Sequence, residues 1–87
     1  IIDGFIASSA IAPLVSVDQI YDNVIFAHQS AEAGHSRLLS KLGKVPMFDL
    51  GMRLGEGSGA ALALSIVRAS LACHNGMATF SEAGIGE

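Results

Sequence analysis

Val24-Ile25-Phe26-Ala27-His28-Gln29-Ser30, running on into Ala31 to Leu42, is the stretch that decides the fold. Its first four residues are a short apolar run with β-branched side chains, which suits a central strand better than a helix. His28-Gln29-Ser30 ends the run. Ser30 is placed to cap a helix over 31–42, Leu38, Leu39 and Leu42 supply its apolar face, and Gly43 stops it. A strand that turns a polar corner directly into a helix is the building unit of α/β folds.

The same unit reads on both sides. Ile1-Ile2 before Asp3-Gly4 is the tail of a buried strand that ends in a turn. Phe5 to Val15 is small and apolar and suits a helix, which Pro13 stops or kinks. Residues 16–23 are polar, with Ser16 or Asp18 able to cap a short helical turn. Pro46-Met47-Phe48-Asp49-Leu50-Gly51 is a third extended segment. Gly55-Glu56-Gly57-Ser58-Gly59 then leads into the longest helix, from Gly59 to His74. That helix is apolar nearly all round and rich in alanine, so it is expected to be buried and tightly packed, with Asn75-Gly76 at its end. Residues 81–87 are expected to fray. The order strand, helix, strand, helix, strand, helix predicts α/β architecture: part of a layered, parallel-sheet, Rossmann-like domain with packed helices.

Composition bounds what such a unit can be. The 87 residues make one small domain at most, yet 51% are hydrophobic and only 15% charged, against about 25% charged in an ordinary soluble domain. A small domain has proportionally more surface and should be more polar than average. The apolar excess is therefore expected to be covered by further chain, a partner subunit, or both. Ile1-Ile2-Asp3 without an initiator methionine fits a piece of something longer. No stretch approaches about 18 uninterrupted apolar residues, so a membrane span is not expected. Cys73 is the one cysteine, which excludes an internal disulfide framework, fits a reducing cytoplasm and suggests an inert buried thiol. The net charge of −3 and five scattered Lys and Arg supply no basic footprint for nucleic acid.

Ligands of α/β sheets sit beyond the carboxyl ends of the strands, where helix N-termini present backbone N–H groups. Three turns fall there. In Met52-Arg53-Leu54-Gly55-Glu56-Gly57-Ser58-Gly59, glycines flank Glu56 and let a ligand approach the backbone. A carboxylate there suits a general base, although Glu in a glycine-rich first turn is also an ordinary helix start. In His28-Gln29-Ser30-Ala31-Glu32-Ala33-Gly34-His35, Ser30 and the amides that follow suit a phosphate; a capped helix with a solvated Glu and two ordinary histidines explains the stretch equally. Zinc on His28, Glu32 and His35 matches none of the usual spacings. Asp3-Gly4-Phe5 sets an acid at a strand end, where a turn-forming Asp-Gly is the plainer reading.

Taken together, Ile2-Asp3-Gly4-Phe5, His28-Gln29-Ser30-Ala31-Glu32 with Gly34-His35, the run from Asp49 through Arg53-Leu54-Gly55-Glu56-Gly57-Ser58-Gly59-Ala60-Ala61, and Met77-Ala78-Thr79-Phe80 resemble the C-terminal part of the nicotinate-nucleotide–dimethylbenzimidazole phosphoribosyltransferases. The family's proline after Glu32 is replaced by Ala33. The resemblance implies a cytoplasmic glycosyltransferase (a pentosyltransferase) of cobalamin lower-ligand synthesis. It transfers phosphoribose from nicotinate mononucleotide to 5,6-dimethylbenzimidazole, giving α-ribazole phosphate and nicotinate, with no metal and no cofactor. It further implies Glu56 as general base, Ser30 near the substrate phosphate, and Leu54 and Gly55 at the wall beside the aromatic base. Asp3, Gly4 and Arg53 join them as substrate-binding candidates. The family's enzyme is a homodimer and holds further substrate contacts upstream. Residues 1–87 are then a single C-terminal fragment that carries the base and is inactive alone. The alternatives are a non-catalytic nucleotide- or phosphate-binding module and a self-associating structural half-domain.

Overall fold

The computed structural model describes residues 1–17 and 19–85; Asp18, one of the two candidate caps, and the last two residues of the expected frayed tail lie outside them. Among the described residues three α-helices form, α1 over Phe5–Ile11, α2 over Ala33–Leu42 and α3 over Ser58–Gly76. Single 3₁₀ turns cover Ala12–Ser16 and Ile20–Asn23. Pro13 explains the first of these, since it lacks an N–H and crowds the preceding turn, so the helix expected to reach Val15 tightens after Ile11. The Tyr21 hydroxyl donates to the Ile11 carbonyl at 3.1 Å and satisfies one of the acceptors α1 leaves open.

The three apolar runs lie side by side and parallel, with Phe26 and its neighbours in the middle. Ile2 bridges Phe26, and His28 bridges Phe48. On one side Ile2 N–H donates to the Ile25 carbonyl and Ala27 N–H to the Ile2 carbonyl, both at 2.8 Å. On the other, Met47, Phe48 and Gln29 continue the same pattern at 2.8–3.1 Å. The parallel order is the expected one, but among the described residues the pairing stops at isolated bridges and no strand of a full sheet is formed. The runs are too short to carry more: Asp3-Gly4 turns away directly after Ile2, and Pro46 removes the donor just before Met47.

Helix α2 begins two residues later than expected. Glu32, not Ser30, occupies the N-cap position, and the Ser30 hydroxyl accepts the Glu32 N–H at 3.2 Å, a local turn in front of the helix. Its far end is as expected: Gly43 takes φ 68°, and the Gly43 and Lys44 amides return to the Ser40 and Leu39 carbonyls. Phe26, Ala27, Leu39 and Ala63 form the buried apolar centre, and the Phe5 ring closes on Gly34, where a Cβ would stand 2.6 Å from Cζ.

Helix α3 departs from expectation. Only Gly59 and Ala63 of it are buried, while Leu62, Leu64, Ile66 and Leu71 are exposed. Cys73, expected as a buried thiol, is exposed as well. The chain's radius of gyration is 16.5 Å, where a compact domain of this length has about 12 Å. Its 6014 Å² of surface exceeds the roughly 4,800 Å² typical of a folded monomer of this mass. A core built from three short runs and two short helices is wide enough to bury one turn of a helix about 28 Å long. The remainder of α3 projects past it. Beyond α3, Thr79 and Glu82 exchange N–H-to-side-chain hydrogen bonds at 3.1 Å, a capping box that closes one further turn.

Candidate active site

The polar corners at the carboxyl ends of the three runs converge. Asp3-Gly4, His28 to Ser30 and Arg53 to Glu56 meet around one cavity of about 430 Å³, within the range of small-molecule sites. All seven residues singled out from the sequence (Asp3, Gly4, Ser30, Arg53, Leu54, Gly55 and Glu56) line it. Its lining mixes apolar residues, Phe5, Ile6, Ala7 and Ala10 of α1 together with Leu54, with the polar Ser30, Glu32, Arg53 and Glu56. The arrangement offers a face for a flat apolar ring beside charged groups suited to an anion and to a proton.

Glu56 sits at the rim in a backbone conformation most side chains avoid. Its φ is 59°, between Gly55 at 81° and Gly57 at 80°. Three consecutive left-handed residues make a sharp hook, and a non-glycine member costs on the order of 1 kcal/mol. The hook turns the chain into α3 and leaves the Glu56 carboxylate exposed at the mouth of the cavity.

Asp3 holds that hook from the end of the first apolar run. Its Oδ2 accepts the Gly57 N–H at 3.2 Å and its Oδ1 the Ala60 N–H at 2.9 Å. Helix α3 has no side-chain cap of its own, because its N-cap position is Gly57. A carboxylate more than fifty residues earlier supplies what a local Ser or Asp supplies elsewhere, and its charge complements the positive end of the helix dipole. The plain reading of Asp3-Gly4 as a turn is thus incomplete.

Ser30 is buried with its neighbours committed. The Ala31 N–H donates to the Met52 carbonyl at 3.0 Å and the Glu32 N–H to the Ser30 hydroxyl, so the amides expected to help cradle a phosphate are already engaged. The Ser30 hydroxyl proton and Arg53 are what this wall offers an anion.

Beneath the cavity lies a layer the sequence did not disclose. His35 is fully buried; its Nδ1 accepts the Ser30 N–H at 2.7 Å and its Nε2 lies 3.1 Å from the Ser8 hydroxyl. An Nδ1 that accepts leaves the proton on Nε2, so the ring is neutral. Burial, and then the proximity of His28, hold its pKa below the ordinary histidine value, with Glu32 opposing. His28 is buried between the Phe48 ring, stacked at 5.9 Å, and His35, edge-on at 6.3 Å, with its Nδ1 unpartnered. Gly4 and Gly59 make room for it: a Cβ on Gly4 would stand 3.1 Å from His28 Nε2, and one on Gly59 would overlap the imidazole outright. The signal available in the sequence was the pairing of two histidines with glycines at three of the turns around them. Among the described residues no group of three or more His, Cys, Asp or Glu is placed to hold a metal, and no helix is long and apolar enough to cross a membrane.

Comparison with known proteins agrees on one family. The phosphoribosyltransferase family model matches residues 1–85. The nicotinate-nucleotide–dimethylbenzimidazole phosphoribosyltransferase of Ruegeria sp. (strain TM1040) is 56% identical over the whole chain, and that of Brucella anthropi 58% identical over 98% of it. The crystal structure of the Thermus thermophilus enzyme of the same name superposes with a TM-score of 0.83 at 38% identity, over 98% of this chain. In each case the chain spans about a quarter of the relative's length. The cavity, its hooked glutamate and the helices around them are thus found in a chain that belongs to the nicotinate-nucleotide–dimethylbenzimidazole phosphoribosyltransferase family, a family of pentosyltransferases.

Proposed function

We propose that the protein carrying this chain transfers the phosphoribosyl group of nicotinate mononucleotide to 5,6-dimethylbenzimidazole, with Glu56 as the general base. The observation that carries this reading is that Glu56, exposed, lines one cavity together with apolar residues of α1, Leu54, Ser30 and Arg53. An apolar slot of this kind suits the benzimidazole ring, and the Ser30 hydroxyl with Arg53 suits the ribose phosphate.

The chemistry follows from what each partner brings. One benzimidazole nitrogen attacks the anomeric carbon of the ribose, the bond from that carbon to the nicotinate nitrogen breaks, and nicotinate leaves with the electron pair. Positive charge then grows on the attacking ring. Glu56 takes the proton from the other ring nitrogen, so no cation is left in the apolar slot. The hook at 55–57 serves this step by holding the carboxylate clear of its own helix.

The wider assignments rest on the same resemblance: a cytoplasmic homodimer, with further substrate contacts supplied by sequence outside residues 1–87, so that the isolated chain carries the base without turning over. The experiment is chromatographic detection of α-ribazole phosphate from nicotinate mononucleotide and dimethylbenzimidazole. Full-length protein is compared with its Glu56→Gln variant and with the 87-residue chain alone. Product from the full-length protein only is the expected result; undiminished turnover by Glu56→Gln rejects the base assignment.

A further inference from the structure

Asp3 makes two contacts to the segment that carries Glu56 and lines the same cavity. Its carboxylate takes the Gly57 amide, next in chain to Glu56, and the Ala60 amide within the first turn of α3. Glu56 itself is in the left-handed region, a conformation that persists only when its surroundings enforce it. Gly59 has no side chain at the point where Asp3 Oδ1 and the His28 ring approach; a Cβ there would stand 2.9 Å from Oδ1. Asp3, His28 and Gly59 therefore form one packed unit under the hook.

We infer that Asp3 is a positioning residue for the general base: it fixes the 55–57 hook through the Gly57 and Ala60 amides and occupies the positive end of α3, so that this end is not available to Glu56. The inference rests on the reading of Glu56 as the base. It assigns Asp3 a different task from contacting substrate. Glu56 stands directly ahead of α3, and the Gly57 and Ala60 amides that follow it are held by Asp3 rather than by any side chain of the helix itself.

The test is steady-state kinetics of the full-length protein with Asp3→Asn, Asp3→Glu and Glu56→Gln. Asp3→Asn keeps the shape and one acceptor but loses the charge. It is expected to lower kcat roughly tenfold to a hundredfold, as a base displaced by a fraction of an ångström to an ångström does, with KM within about twofold. Asp3→Glu keeps the charge with altered reach, so kcat falls less, with KM again within about twofold. Unchanged kcat in Asp3→Asn overturns the inference, as does a raised KM with kcat intact, the mark of direct substrate contact. A kcat loss that matches a loss of folded protein reduces Asp3 to an ordinary cap and also overturns it. Should Asp3→Asn not fold, Asp3→Glu carries the test, and a wild-type kcat or a raised KM in it does the same. Glu56→Gln separates the two levels: if it turns over normally the base assignment fails, and if it is inactive while both Asp3 variants behave as wild type the positioning role alone fails.

Discussion

The backbone N–H of Ser30 donates to Nδ1 of His35 at 2.7 Å, so a residue on the cavity wall is held by a histidine that never reaches the cavity surface. The bond needs an unprotonated Nδ1. Protonating His35 removes the acceptor under Ser30 and places a charge where the ring is fully buried.

This sets a pH dependence of stability. The folded-state pKa of His35 is below its ordinary value of 6.5, through burial first and His28 second. The unfolded chain therefore binds the proton more readily than the folded one. The contribution is fully present above pH 6.5 and is lost as pH falls through that value toward the lowered folded one. The thermal midpoint of the full-length protein is expected to drop between pH 7 and pH 5, and the difference between wild type and His35→Asn to shrink over that window. A difference that stays constant with pH excludes His35 as the titrating group.

Gly59→Ala places a methyl group into the His28 ring and beside Asp3 Oδ1. Neither is the loose end of a flexible chain, since one is a stacked imidazole and the other a carboxylate holding two amides. The expected cost is about 1–3 kcal/mol, read by chemical denaturation of the full-length protein. Gly43→Ala, with open space around its Cβ, is expected to cost less, through its φ of 68° alone.

Glu56→Gly is expected to leave stability within about 1 kcal/mol of wild type, because relief of the left-handed strain offsets the greater freedom of glycine in the unfolded chain. Glu56→Val, β-branched at the same φ of 59°, is expected to be the less stable of the two. Both lose turnover. Differential scanning calorimetry with the product assay distinguishes a strained functional residue from a structural one.

The exposed apolar side of α3 predicts the solution behaviour of the 87 residues alone. Leu64 and Leu71 present 39% and 55% of their surface. The isolated chain is expected to self-associate, and Leu64→Glu with Leu71→Lys to shift it toward monomer on size-exclusion chromatography. A wild-type chain that elutes as a monomer contradicts this.

The order of elements, the stops at Pro13 and Gly43, and the polar corners at the ends of the apolar runs were legible in the sequence because each depends on local chemistry: a proline's missing donor, a glycine's left-handed φ, the polarity of residues at run ends. Three features were not. The exposure of α3 depends on what packs against it, and an apolar helix reads the same whether its cover is present or not. The runs around Phe26 and Phe48 have strand-like composition, but isolated bridges rather than a ladder follow from how few residues lie between Asp3-Gly4, Pro46 and their neighbours. The buried His28–His35 layer was also missed, since adjacency of two rings from different segments is set by tertiary packing. Of the site, the roles of Asp3 and of the amides after Ser30 changed once their partners were visible: the first binds α3, and the second are already engaged.

The cap of α3 comes from a residue far upstream in sequence, and that separation has a consequence for how the protein is made. Asp3 leaves the ribosome well before Ala60, its partner 57 positions later. When α3 emerges, the group that fixes its first turn is already waiting, and the helix is expected to lock only on docking against the paired Ile2 and Phe26 segments. Residues 1–3 thus carry information about the start of a helix they do not belong to.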